Sequence, residues 1–77
     1  MQITKECLQK TVGTNIRRIR IAKKMSIESL ALHAEMDYTQ LSRIELAKIN
    51  TSVYQLYKIA NILNVSLNEL MSMDDLP

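Results

Sequence analysis

Residues 25–45 read MSIESLALHAEMDYTQLSRIE. The stretch predicts two short helices, Ile27–Ala34 and Tyr38–Glu45. Ser26 stands before the first as its N-cap, with a hydroxyl placed to accept from the N–H of Ser29. Asp37 stands before the second, and Gln40, three residues on, completes the spacing of a capping box. Met36 and Leu41 flank that cap at the spacing of a hydrophobic staple. Only Glu35, Met36 and Asp37 remain to connect the helices, and so short a turn makes them cross steeply.

The same frame recurs along the chain. Thr51-Ser52-x-x-Gln55-Leu56 and Val65-Ser66-x-x-Glu69-Leu70 repeat the pattern of a capping residue, a polar third helical residue and a leucine fourth. Ile3-Thr4-x-x-Cys7-Leu8 is a weaker instance. The frame predicts helices over Val53–Leu63 and Leu67–Met71, with Val53, Leu56, Ala60, Leu63, Leu67 and Leu70 inward. A first helix runs to Lys24 on the stripe Val12, Ile16 and Ile19; Leu8 extends that stripe backwards, and Gly13 is a weak point in it. Ser72–Pro77 is expected to fray. The reading is all-α with no strand, divided into an N-terminal extension (1–10), a domain (11–71) and a tail (72–77).

With 77 residues the chain makes one small domain, of a size that gains stability by dimerising. Its three tyrosines are its only aromatics, so the core is aliphatic. A single cysteine, Cys7, makes no internal disulfide, and no apolar run approaches a membrane span, so a cytoplasmic protein is expected. The net charge of +2 hides an asymmetry. Residues 1–24 carry seven basic side chains and one acid, whereas the remainder carries three basic and seven acidic. Such a basic segment suits a polyanionic partner or a solvated helix face. His33 has no second ligand at helical spacing, Cys7 has no base to activate it, and Glu28, Glu35, Asp74 and Asp75 are surface charges. No metal, cofactor, small-molecule ligand or enzymatic activity is expected.

On Tyr38–Glu45, helical periodicity turns Leu41 and Ile44 inward and Tyr38, Thr39, Ser42 and Arg43 outward, with Gln40 at the flank. An outward arginine with hydroxyls beside it is chemically matched to base edges in a DNA major groove.

The chain resembles the phage-repressor (Xre-type) helix-turn-helix family over Thr11–Met71. The resemblance rests on Ile16-Arg17-x-Ile19-Arg20, Ser26-x-x-x-Leu30-Ala31, Leu41-Ser42-Arg43-Ile44-Glu45, Leu56-x-x-Ile59-Ala60-x-x-Leu63 and Val65-Ser66-Leu67-x-Glu69-Leu70. It implies a five-helix lambda-repressor-like domain whose third helix enters the major groove of double-stranded DNA, and a homodimer on two-fold-related half-sites. By position it implies base contacts from Tyr38, Thr39, Ser42 and Arg43, with Gln40 at the margin. It further implies backbone contacts from Lys48, Asn50 and the helix N-terminus at Ile27, and a structural ion pair between Arg20 and Glu45. Departures from the family are Glu35 and Ala47 where glycine is usual, Ile27 for glutamine and Thr51 for proline. A left-handed Glu35 costs roughly 1–2 kcal/mol, so a different turn shape is expected there. Small phage regulators and restriction–modification controller proteins look like this chain. Ile49, Tyr57, Ile62, Met71 and Met73 are candidate dimer contacts. A second reading is a protein-binding module, antitoxin-like or an adaptor, on the same fold; either could meet a protein antagonist.

Overall fold

A computed structural model describes residues 3–73. Five helices follow one another: α1 (Lys5–Ala22), α2 (Ile27–His33), α3 (Tyr38–Glu45), α4 (Val53–Leu63) and α5 (Leu67–Met71). No strand occurs among the described residues. Side-chain oxygens start four of the helices. Thr4 accepts from the Cys7 N–H, Ser26 from Ser29, Ser52 from Gln55 and Ser66 from Glu69, and Glu69 returns a bond to Ser66 in a full capping box. The start of α3 departs from expectation. Asp37 has the extended N-cap backbone, and its carbonyl accepts from Leu41 N–H, but its side chain makes no cap bond. The carboxylate is exposed, and no capping box forms with Gln40.

All five helices contribute to one aliphatic core. Ile16, Leu30, Leu41, Ile59, Leu63 and Leu70 are fully buried at its centre, with Val12, Ile19, Ala31, Ala34, Ile44, Leu56 and Ala60 around them. Val53 does not join them. It opens α4 and is 70 % exposed, and Ile59 takes the inward role instead. α1 runs unbroken through Gly13 and stops at Ala22, two residues before the expected end. The Ser72 carbonyl accepts from Asn15 Nδ2 at 2.8 Å. The remaining expected tail, Asp74–Pro77, lies outside the described residues, as do residues 1–2 of the extension.

The helix ends explain how so few glycines suffice. Lys24, Glu35, Ala47 and Asn64 all have left-handed backbone, with φ of 58°, 57°, 61° and 58°. After each, the next N–H reaches back five residues: Met25 to Arg20, Met36 to Ala31, Lys48 to Arg43 and Val65 to Ala60, at 2.8–3.0 Å. These are Schellman closures, which satisfy carbonyls left open at a helix end. The turn at Glu35 therefore keeps its left-handed shape, contrary to the expectation of a changed one. Its hydrogen bonds and the staple residue Met36, packed on the core, offset the cost of a β-carbon there. Glu35→Gly is expected to raise stability by about 0.5–1 kcal/mol, since the relief at left-handed φ outweighs the added freedom of the unfolded chain. A thermal melt checks this; an unchanged or lowered melting temperature would show that the Glu35 backbone is unstrained.

Candidate nucleic-acid interface

α3 is fixed along its inner side. Leu41 is 0 % and Ile44 2 % exposed, and α2 packs against α3. At its carboxyl end Glu45 receives two bonds from one guanidinium: Arg20 Nε donates to Oε2 at 2.8 Å and Nη2 to Oε1 at 3.0 Å. Arg20 Nη1 also donates to the Met25 carbonyl at 2.9 Å, joining α1, the α1–α2 connection and α3 through one side chain. The hydrogen bonds to Glu45 push the Arg20 pKa further up; partial burial opposes that shift, and the Glu45 and Glu28 charges reinforce it. Gly13 seals the same junction, because α1 passes against the carbonyls of Ile44 and Glu45 with no room for a β-carbon.

The outer side of α3 is polar. Tyr38, Thr39 and Arg43 are exposed; Ser42 and Gln40 are half-buried on its two flanks. Ser42 is thus less outward than expected, lying nearer the edge of the face than its centre. With Glu45 paired to Arg20, Arg43 is the one formal charge on α3 that has no ion-pair partner among the described residues. Lys48 and Asn50 are exposed in the connection that follows. Ile27 sits half-buried against the core, so its side chain belongs to packing and only its backbone fronts α2.

The other singled-out residues are placed plainly. His33 is exposed and donates from Nδ1 to the Ser29 carbonyl at 2.8 Å. Cys7 is exposed. Among the described residues no group of histidine, cysteine or carboxylate side chains is arranged to hold a metal ion, and no helix is long and apolar enough to cross a membrane. Of the candidate dimer contacts, Tyr57 and Met71 are exposed, whereas Ile49, Ile62 and Met73 are half-buried. Two structural residues were not anticipated in these roles. One is Gly13. The other is Asn15, 3 % exposed, whose Nδ2 donates to the carbonyls of Leu70 at 2.9 Å and Ser72 at 2.8 Å, closing the end of α5. Its signal was a lone amide in line with Leu8, Val12 and Ile19 at helical spacing.

A helix-turn-helix family model matches residues 16–70. The chain is 32 % identical over 68 residues to y4dJ of Sinorhizobium fredii, named an uncharacterized HTH-type transcriptional regulator, covering 88 % of each. It is similar to the crystal structure of the restriction–modification controller protein C.AhdI from Aeromonas hydrophila, at 29 % identity and a TM-score of 0.78, over 80 % of this chain and 94 % of that one. It is also similar to the hypothetical transcription factor NHTF from Neisseria, at 27 % identity and a TM-score of 0.82, over 94 % of this chain and 84 % of that one. With its five helices, α2 packed against α3 and a polar outer α3, the chain belongs to the helix-turn-helix (HTH_3) family of Xre-type, lambda-repressor-like transcriptional regulators.

Proposed function

We propose that the chain is a sequence-specific double-stranded DNA-binding regulator of the cytoplasm, acting as a homodimer on a palindromic operator. The observation that carries this reading is the two-sidedness of α3. Leu41 and Ile44 are sunk in the core while Tyr38, Thr39 and Arg43 stand clear. Arg43 forks onto guanine O6 and N7, while Thr39 and the Tyr38 ring offer hydroxyl and apolar contacts to neighbouring bases. Ser42 and Gln40 reach base edges from the flanks. Lys48, Asn50 and the backbone at Ile27 grip phosphates on either side, fixing register without reading sequence. No cofactor enters this reaction scheme, and control comes from the protein's own concentration or from a protein antagonist.

Selection of bound sites from random duplex DNA tests the proposal. The expected outcome is a two-fold-symmetric motif whose half-site centres lie about one helical turn, or a multiple of it, apart. Binding should also weaken steeply between about 50 and 200 mM salt, as phosphate contacts release counterions. Flat or absent DNA binding, with a stable protein partner, would instead favour the protein-binding module. Arg43→Ala is expected to relax preference at one base pair per half-site, at a cost of about 1–3 kcal/mol there, with the other positions unchanged. An unaltered site profile for that variant removes Arg43 from the readout.

A further inference from the structure

The amino-terminal half of α1, the α3–α4 connection, the start of α4 and Met71 of α5 enclose an apolar groove with a cavity of about 160 Å³. Val12, Ile44 and Leu56 floor it, and Leu8, Val53 and Met71 stand on its rim. The α1 wall, Leu8 to Val12, lies ahead of residues 16–70, which the family model matches. We infer that the groove is the seat of a second copy of this chain, and this rests on the dimeric reading above.

Two observations support that occupant. First, none of the residues lining the groove is ionisable, in a chain where 23 % of residues are charged. A two-fold contact sets a patch against its own copy, so any charge near the axis meets its like; an uncharged patch escapes that repulsion. Second, the patch carries both a protrusion and a hollow. Val53 projects from the rim, 70 % exposed, beside the cavity, and a two-fold axis lets each Val53 enter the other copy's hollow.

Sedimentation equilibrium on the full chain tests this, with Leu8→Glu and Val53→Glu as groove variants and Leu32→Glu as a control on α2, where Leu32 is 75 % exposed outside the groove. Val53 holds none of the core, and Val53→Ser is a milder companion that keeps the fold beyond question. The wild type and Leu32→Glu are expected to be dimers. The two glutamate variants are expected to raise the dimer dissociation constant by roughly 100-fold or more, since each buries an unpaired carboxylate at the contact, and Val53→Ser by less. Circular dichroism should show unchanged helix content. Dimers that persist in both glutamate variants overturn the groove while leaving the dimeric reading intact. A wild type that stays monomeric, free and on a selected DNA site, overturns both.

Discussion

Arg20→Ala is expected to lower the unfolding free energy by about 3–5 kcal/mol, the cost of stranding one partner of a buried ion pair. The side chains of Arg20 and Glu45 retain only 13 % and 5 % of their exposure, so removing the guanidinium leaves a carboxylate with little access to water. It also strips the Met25 carbonyl of its donor, at the entrance to α2. A domain of this size has roughly 4–12 kcal/mol in total, so the loss is a large part of the whole, and each kcal/mol lowers the melting temperature by about 4–8 °C. The pH dependence has a definite sign. A base whose pKa is raised on folding contributes stability below its unfolded value and loses it only as pH rises through the folded one. Both values lie far above neutrality for arginine, so its contribution should be constant across the neutral range. Arg20→Met paired with Glu45→Leu should recover most of the loss, since an apolar pair leaves no charge stranded. An Arg20→Ala protein that melts like the wild type yet no longer binds DNA would place Arg20 at the phosphates instead.

How far the fold was legible depended on the range of the interaction concerned. α3, α4 and α5 have the bounds that the capping frame predicted, because a cap, its third-position partner and its staple lie within six residues. The exposed face of α3 was readable from periodicity alone, since two buried residues orient the whole helix. What failed was local chemistry overruled by surroundings. Asp37 has the right residue type and backbone for a side-chain cap, yet its exposed carboxylate makes no cap bond. Glu35 argued for an altered turn, but the Schellman bonds and the packing of Met36 decide that geometry. Val53 lay on the apolar stripe yet stays 70 % exposed at the first turn of α4. The pairing of Arg20 with Glu45 spans 25 residues. No local pattern announces it, and resemblance to a family was what suggested it.

Gly13→Val is expected to cost about 3 kcal/mol or more, although helix propensity argues the other way. In a helix interior any ordinary residue is better than glycine, and alanine gains about 1 kcal/mol. By that rule a glycine in the middle of an 18-residue helix is a defect to be repaired. The tertiary structure reverses the sign. A β-carbon on residue 13 would lie 2.4 Å from the carbonyl oxygen of Ile44 and 2.7 Å from that of Glu45. Both atoms are backbone, and the carboxyl end of α3 to which they belong is anchored by the Arg20 ion pair, so no flexible side chain can yield. Overpacking of a filled site costs about 1–3 kcal/mol even where side chains can adjust, and valine adds two further carbons to the collision. Relief comes only by moving α1 off α3, which loosens the bidentate geometry at Glu45 and tilts the helix that carries Arg43. Stability and DNA affinity should therefore fall together, with Gly13→Ala intermediate in both. Thr14→Ala, one residue along on the exposed side of the same helix, isolates propensity and should be neutral or slightly stabilising. Thermal melts of these three variants, with binding to a selected site measured well below each melting temperature, separate the two effects. If Gly13→Ala melted above the wild type as Thr14→Ala does, the close approach of α1 to α3 would have to be abandoned as the reason for glycine at that position.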